Sequence, residues 1–375
     1  MGNLFEYSKF VENQDFIGRK EEIERLSANF VFLTNTILLA PRGWGKSSLL
    51  RKAAAAAAIK DKSLRFCHIK LSNVRDEERF YELLAQGVIQ AVSSTVEEAV
   101  SYLSRFFTNP SPILEFNNSS VEGIHLNYDW SDIRRSKESI MSLPSRIAQD
   151  IGLKLVVCID DFHSIEQFPE TDSFLQFLKS QWTNQKNVSY CLTAEENQTV
   201  VSFAKTAVPF SRYGDVIQLG RIKPVAFTRH LRDRFAESGK YLDGEVASLI
   251  VDLVEGHPFY VQQLAHISWM NTSVVCSREV VMEAHETIVN QMQMMFDIVT
   301  SALTTQQLCY LHAVLAGETV ISTSEVLHRH HITSATSASR SKAALLQKGL
   351  VCNQDGKITM IDPIYSYWLI NKYFK

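Results

Sequence analysis

One short run of small and cationic residues could bind phosphate. Residues 37–51 begin with an apolar run, pass through a glycine-containing loop and enter a segment of strong helix formers. Backbone N–H groups of such a loop wrap a phosphate chain, and the helix N-terminus adds its positive dipole end. Lys46 would reach the β- and γ-phosphates, and the Ser47 hydroxyl would bind Mg²⁺. The predicted nucleotide-binding residues here are Pro41, Arg42, Gly43, Trp44, Gly45, Lys46, Ser47 and Ser48.

The loop departs from the pattern G-x-x-x-x-G-K-[ST] at one position, where Ala40 replaces the first glycine. Alanine lacks the freedom of glycine to adopt positive φ, but a small residue still lets the loop close. Short glycine-lysine patterns also arise by chance. The apolar run before the loop and the helical run after it favour a phosphate loop.

An acidic pair follows a second apolar run. Residues 153–159 predict a buried strand, and Asp160 and Asp161 come directly after that strand. Asp160 would hold Mg²⁺ through water, and Asp161 would orient or deprotonate the attacking water. The alternative is a solvated turn, which the aliphatic strand argues against. Asp161 is shorter than the glutamate that many ATPases carry here, which predicts slow hydrolysis.

Length and composition set the outer limits. At 375 residues the chain exceeds one ordinary core, which predicts two or three domains. No segment reaches the apolar length of a membrane span, and the N-terminus has neither a signal-peptide pattern nor an N-myristoylation motif. We therefore expect a cytoplasmic protein with no membrane partner. The formal net charge of −3 argues against a globally basic nucleic-acid binder.

The six cysteines lie far apart in the sequence, and none of their spacings matches a zinc site. Three of them, Cys67, Cys158 and Cys191, fall within predicted strands. We expect reduced cysteines in the core rather than disulfides.

Strand and helix patterns alternate from residue 20 to about 220, which predicts an α/β domain with a parallel sheet covered on both faces. The predicted strands are 37–39, 65–71, 153–159, 188–193 and 216–219. Five strands suffice for a P-loop core. The stretch 92–143 has little periodicity and contains prolines and an Asn-Asn-Ser-Ser run, which predicts a partly ordered insertion.

Amphipathic helices replace strands after Pro224, at 225–238, 243–255, 258–270 and 278–300. They predict a small helical second domain. After Thr304 come two or three short helices and then a hairpin with Asp355 and Gly356 at its tip. Helices followed by such a hairpin are the outline of a winged helix.

Five motifs in order carry a resemblance to a known family. They are Phe16-Ile-Gly-Arg19-Lys-Glu-Glu-Ile, Ala-Pro-Arg-Gly-Trp-Gly-Lys-Ser, Cys-Ile-Asp-Asp-Phe, Glu255-Gly-His-Pro258 and Ile361-Asp-Pro-Ile-Tyr-Ser-Tyr-Trp368. In this order they resemble the archaeal-type ATPases of archaea and many bacteria, in the STAND branch of the AAA+ superfamily. The resemblance implies a P-loop AAA+ core at 1–222, a helical lid at 223–300 and a C-terminal winged-helix domain at 301–375.

The resemblance also implies how the nucleotide is held outside the loop. Phe16, Ile17 and Arg19 would lie against the adenine and ribose. Pro258 would pack near the base, with His257 close to the phosphates. The alternative for His257 is a loop histidine that caps a helix and contacts no ligand.

Two further roles follow from the same resemblance. Thr193, at the end of the fourth predicted strand, matches the polar sensor of the γ-phosphate. Arg212 occupies the place of the arginine finger, which would stabilise charge on the ATP of a neighbouring subunit in a homo-oligomer. A surface arginine paired with a local carboxylate is the alternative.

The predicted winged helix bears on possible partners. Residues 333–348 include Arg340, Lys342 and Lys348 and contain no acid, which is weak support for binding of duplex DNA. Winged helices of STAND proteins often make protein contacts instead, so an unidentified protein partner is the alternative.

Three functions are compatible with these features. The first is an Mg²⁺-dependent ATPase in which ATP and ADP drive a conformational switch. The second is an ATP-dependent DNA-binding regulator that uses the winged helix. The third is a scaffold that retains ADP.

Overall fold

The computed structural model describes residues 4–5, 16–106, 113–116, 124–127, 137–195, 214–354 and 356–375. Seven strands precede residue 220: Thr36–Leu39 (β1), Leu64–Lys70 (β2), Ile113–Phe116 (β3), Ile124–Asn127 (β4), Lys154–Asp160 (β5), Val188–Ala194 (β6) and Asp215–Gln218 (β7). Five of them form a parallel sheet in the order β2-β5-β6-β1-β7. The five strands predicted from the sequence are confirmed, with ends that differ by one residue at most.

Helices cover both faces of the sheet, because its strands present apolar side chains alternately to either side. Leu38 and Val156 face one cluster, whereas Ile37 and Val157 face the other. The first face is covered by Lys20–Val31 (α1) and Lys46–Lys60 (α2). The second is covered by Glu77–Val92 (α3), Lys137–Asp150 (α5) and Thr171–Trp182 (α6).

The stretch 92–143 contains more regular structure than the sequence suggested. Val96–Phe106 forms helix α4, β3 and β4 pair as an antiparallel hairpin, and α5 already begins at Lys137. The Thr95 hydroxyl accepts a hydrogen bond from Glu98 N at 3.2 Å, so a local cap starts α4. Residues 107–112, 117–123 and 128–136 lie outside the described residues.

The segment after the sheet is helical, as predicted. It contains Pro224–Glu237 (α7), Gly244–Leu253 (α8), Pro258–Asn271 (α9) and Arg278–Ser301 (α10), with a short parallel pair, Tyr241–Leu242 (β8) and Val275–Cys276 (β9). Local sequence sets the helix starts. Proline occupies the first turn of α7 and α9, and Asp243 and Ser277 cap α8 and α10 by accepting backbone N–H bonds.

The C-terminal segment consists of short helices and a hairpin. The elements are Thr305–Leu315 (α11), Ser324–Arg329 (α12), Ala335–Gln347 (α13), Val351–Gln354 (β10), Lys357–Met360 (β11) and Pro363–Trp368 (α14), with a π-helical turn at Leu369–Tyr373. The predicted hairpin is present, since Gln354 pairs with Lys357 in an antiparallel register. Asp355, at its tip, lies outside the described residues.

One hydrophobic cluster runs from the N-terminus through α7–α10 into the C-terminal helices. Phe5 packs against Phe235 with ring centroids 5.6 Å apart, and Leu4 O accepts a hydrogen bond from Arg234 Nε at 3.1 Å. At the other end of the cluster, Phe296 packs against Tyr365 at 5.1 Å. The helices that follow the sheet and the C-terminal helices therefore share a core.

All six cysteines are free thiols, and all but Cys309 are buried. Burial raises the pKa of the Cys67, Cys158 and Cys191 thiols. No helix within the described part of the chain is long and apolar enough to cross a membrane. The described residues also contain no group of three or more His, Cys, Asp or Glu side chains that could hold a metal ion.

His285 predicts acid sensitivity of this shared core. The side chain is fully buried on α10, neither ring nitrogen has a hydrogen-bond partner among the described residues, and the ring lies edge-on against Tyr367 at 4.6 Å. Burial lowers the pKa of His285, with Glu286 acting in the opposite direction. The unfolded chain therefore binds a proton more readily, so the free energy of unfolding should fall as the pH drops from about 7 to about 5.

Replacing His285→Phe should flatten this part of the stability profile, measured by urea unfolding at each pH. His328→Gln, a change at an exposed histidine, should leave the profile as in the wild type. An unchanged slope in His285→Phe would show that His285 is not the group that titrates.

Candidate functional site

A cavity of about 560 Å³ opens at the carboxyl edge of the parallel sheet. Loops that follow β1, β2, β5 and β6 meet there because parallel strands end on the same side. Its lining combines the loop after β1 with acidic residues that follow β5 and with apolar side chains from α9. The predicted residues that line it are Phe16, Ile17, Arg19, Arg42, Gly43, Trp44, Gly45, Lys46, Ser47, Ser48, Asp160, Asp161 and Pro258.

Two glycines give the loop after β1 its shape. Gly43 and Gly45 adopt φ of 78° and 85°, the left-handed region that other residues enter only with strain. Gly45 then leads directly into α2, whose first residue is Lys46. The first-turn N–H groups of α2 are therefore presented at the cavity, where the helix dipole favours an anion.

Lys46 is a buried cation at the floor of the cavity. Its side chain is 8% exposed, and Nζ donates to Ala40 O at 2.7 Å and to Pro41 O at 3.1 Å. Burial lowers the pKa of Lys46, whereas the negative charges of Glu195, Asp160 and Asp161 act in the opposite direction. The ammonium thus bonds to neutral carbonyls and lies among carboxylates, a position from which it can turn to a phosphate.

Asp160 joins the loop to the neighbouring strands. Ser47 Oγ donates to Asp160 Oδ2 at 2.6 Å, and the Thr193 hydroxyl donates to Asp160 Oδ1. Thr193 is fully buried, so it contacts the site through Asp160 and does not line the cavity. The serine and aspartate oxygens are hard donors of the kind that Mg²⁺ prefers.

Asp161 faces a different set of neighbours. It adopts a left-handed backbone conformation with φ of 55°, and its carboxylate accepts a hydrogen bond from the Ser72 hydroxyl. Lys70 Nζ lies 4.0 Å from Asp161 Oδ2. Ser72 and Lys70 are not among the site residues predicted from the sequence. The available signal was their position at the end of β2, since β2 is the strand next to β5 in the sheet.

The cavity lining also includes buried polar atoms that have no hydrogen-bond partner in the part of the chain that the structure describes. Arg19 Nη1 binds Glu22 Oε1 at 3.1 Å, but Arg19 Nη2 has no hydrogen-bond partner among the described residues. Trp44 Nε1 is likewise buried without a partner in this part of the chain. Burial lowers the pKa of Arg19. A buried, unsatisfied N–H at a cavity wall is stabilised by an acceptor on a ligand.

His257, the residue directly before α9, packs against the loop that follows β1. A Cβ added to Gly43 would lie 2.6 Å from His257 Cε1, so the ring packs directly on the loop backbone. Burial lowers the pKa of His257 to about 4, and a hydrogen bond to the Arg42 backbone acts in the opposite direction. The ring is therefore neutral at pH 7. It contacts the phosphate loop itself and does not line the cavity.

Pro41 and Arg212 are the remaining predicted site residues. Pro41 belongs to the loop and accepts from Lys46, but it does not line the cavity. Arg212 lies outside the described residues, so its finger role stays a prediction.

Several residues that line the cavity were not predicted from the sequence. They are Lys70, Ser72, His163, Ser164, Gln167, Ile222, Phe227, Phe259 and Gln262.

Several solved structures align with this chain over nearly its whole length. A Walker-type ATPase of Pyrococcus abyssi aligns with a TM-score of 0.69 at 15% identity, covering 98% of this chain and 99% of its own. The ORC2 protein of Aeropyrum pernix, solved as ADPNP and ADP complexes, aligns at 0.51 and 13% identity over 100% and 98% of the chains. The ORC1 protein of the same organism, solved with DNA, aligns at 0.50 and 13% over 96% and 94%. No family model and no curated protein matches the sequence.

The chain has the AAA+ P-loop fold. The sheet order with β1 between β6 and β7 and the coverage of nearly the whole chain support this assignment. The fold prediction made from the sequence is thereby confirmed. At these identities the likeness concerns the fold, so the activity has to be argued from the site itself.

Gly43 tests the contact between the loop and α9. Gly43→Ala should destabilise the nucleotide-free protein more than Gly45→Ala does, as measured by urea unfolding. Both changes place alanine at positive φ, at a cost of about 1–2 kcal/mol, but only the Cβ at position 43 meets His257, since nothing lies within 4 Å of a Cβ at position 45.

The excess cost should disappear when both glycine variants are made in a His257→Ala background. Equal destabilisation by the two alanines in the wild-type background would contradict the close packing of His257 on the loop.

Proposed function

We propose that this protein is an ATP-binding ATPase of the archaeal-type STAND branch of AAA+ proteins and works as a nucleotide-driven conformational switch. The observation that carries the proposal is the meeting of Lys46, Ser47 and Asp160 at the carboxyl edge of the sheet, around a glycine loop that enters a helix. The same arrangement is used by P-loop proteins to bind a magnesium nucleotide.

The residues present fit that ligand. Gly43 leaves no room for a side chain at the loop, Lys46 supplies a buried cation, and Arg19 offers an unpartnered N–H on the cavity wall. Ser47 and Asp160 would hold Mg²⁺, which would neutralise charge on the β- and γ-phosphates.

The residues of the chain would then act on ATP in separate ways. Lys46 would leave Ala40 O and Pro41 O and donate to phosphate oxygens. Asp161 would accept a proton from the attacking water or orient that water for in-line attack on the γ-phosphate. Its short side chain limits its reach, and the hydrogen bond that it accepts from Ser72 occupies one carboxylate oxygen, so both features favour slow turnover.

The switch would use the shared hydrophobic core beyond the sheet. We infer that residues 223–300 form a lid and residues 301–375 a winged-helix domain, on a core of residues 1–222. The continuous cluster from α7 to α14 supports movement of the lid and the C-terminal helices as one unit relative to the sheet. The close packing of His257 on Gly43 supports this, because one end of the unit would then lie next to a bound nucleotide.

The acidic pair gives the sharpest test of the ATPase. Asp161→Asn should bind ATP with near wild-type affinity and lose about a hundredfold or more in turnover, the usual contribution of a general base. Asp160→Asn should instead weaken Mg²⁺-dependent binding, and Lys46→Ala should remove most affinity. Binding is measured by calorimetry and turnover by phosphate release.

Asp172→Asn, the same change at an exposed position on α6, serves as the control. Normal turnover by Asp161→Asn would place the base elsewhere. A wild-type protein that retains ADP through purification and never turns over would favour the scaffold function.

DNA binding is a second candidate, because α13 exposes Arg340 on a helix without acidic residues. Wild-type protein should bind duplex DNA with an affinity that falls steeply as salt rises, and Arg340→Glu with Lys342→Glu should abolish binding while ATP affinity persists. Fluorescence anisotropy at several salt concentrations measures this. Lys60→Glu with Lys62→Glu makes the same charge change away from α13 and should retain binding. Failure of the wild type to bind at low salt with either nucleotide would discard this candidate.

A further inference from the structure

A buried tyrosine hydroxyl connects the helix that covers the phosphate loop with the C-terminal helix. Tyr260 lies one turn into α9, three residues after His257, and is 6% exposed. Its hydroxyl donates to Asp362 Oδ2 at 2.7 Å. The ring also packs against His257, with centroids 5.0 Å apart. The Tyr260 side chain therefore contacts both His257, which packs on the phosphate loop, and Asp362, which directly precedes α14.

Asp362 is the N-cap of α14. Its Oδ1 accepts hydrogen bonds from Ile364 N at 2.9 Å and from Tyr365 N at 3.0 Å, and these bonds satisfy first-turn donors that have no partner inside the helix. Burial raises the pKa of Asp362, whereas the three hydrogen-bond donors act in the opposite direction. A half-buried carboxylate of this kind depends on all three donors.

The chain of contacts continues beyond α14. Tyr365 OH lies 2.8 Å from Thr300 Oγ1, at the end of α10, and its ring packs on Phe296. A second contact brings the C-terminal segment to the sheet: a Cβ at Gly349 would lie 3.9 Å from Glu195 Oε2, and Glu195 lines the nucleotide cavity.

We propose that Tyr260 and Asp362 are positioning residues that couple the occupancy of the phosphate loop to the N-terminal cap of α14. The inference rests on the proposed function and adds the route by which a bound nucleotide reaches the C-terminal helices. Neither residue touches the nucleotide cavity.

The route follows from how tightly the loop is packed. Phosphate binding requires Lys46 to leave two loop carbonyls, and the backbone at Arg42 and Gly43 to present its N–H groups inward. The His257 ring is bonded to the Arg42 backbone and packed on Gly43, so it moves with the loop. Because His257 directly precedes α9 and its ring packs against Tyr260, its displacement shifts the first turn of that helix and moves the Tyr260 hydroxyl away from Asp362.

Hydrogen exchange of the Ile364 and Tyr365 amides reports directly on this cap, since both amides donate to Asp362 Oδ1. In wild-type protein, saturation with ADP or with a non-hydrolysable ATP analogue should accelerate exchange of these amides about fivefold, the change expected for loss of one hydrogen bond. In Tyr260→Phe, nucleotide should still bind with near wild-type affinity, but exchange should no longer respond to it.

Tyr365→Phe is the matched control. It removes another buried tyrosine hydroxyl, bonded to Thr300, and leaves the link from Tyr260 to Asp362 in place. Its amides should keep the nucleotide response. A purely structural role of Tyr260 would alter exchange equally with and without nucleotide, whereas a coupling role alters the difference between the two states.

The outcomes separate this inference from the proposed function. Absence of nucleotide binding to the wild type would overturn both. Binding without any change at Ile364 and Tyr365 would overturn the coupling alone, as would a full nucleotide response in Tyr260→Phe. Loss of the response in Tyr365→Phe as well would show general loosening of α14 and would also overturn the proposed route.

Discussion

The arrangement of the site depends on one buried ammonium group. Lys46 lies at the floor of the cavity, and removal of its charge from water is unfavourable unless neighbouring groups compensate. Two loop carbonyls solvate it, and three carboxylates provide opposite charge. These groups come from β1, β5 and β6, so the compensation exists only when the parallel sheet brings the ends of those strands together.

The polar groups around Lys46 are hydrogen-bonded to one another, so a ligand that enters the site must replace these hydrogen bonds. Ser47 bonds to Asp160, Thr193 bonds to the same carboxylate, and Ser72 bonds to Asp161. A ligand can enter only by offering bonds at least as good as those it replaces. A nucleoside triphosphate with a divalent cation would do so, because it would bring charged acceptors for Lys46 and a hard cation for the serine and aspartate oxygens.

The sequence predicted the parts of this structure that depend on short-range pattern. Apolar runs located all five strands within a residue, and the spacing of glycine, lysine and aspartate located the candidate site. Side chains that meet through tertiary contacts were missed: Ser72 reaches Asp161 only because β2 pairs with β5, and Tyr260 reaches Asp362 across about a hundred residues of chain. Helix α4 was missed although Val96, Ala99, Val100 and Leu103 recur at helical spacing, because the prolines and the Asn-Asn-Ser-Ser run that follow it dominate the pattern of the stretch 92–143.

The close contact between Gly43 and His257 explains why a small change at the loop can reach the C-terminal helices. Packed interiors do not deform continuously, so a ring in contact with backbone moves as the backbone moves. His257 directly precedes α9, and α9 belongs to the same hydrophobic cluster as α10 and α14. A displacement at the loop would therefore be passed on by packed helices, and the hydrogen bond from Tyr260 to Asp362 is the contact that we expect to be lost first, while the shared core stays intact.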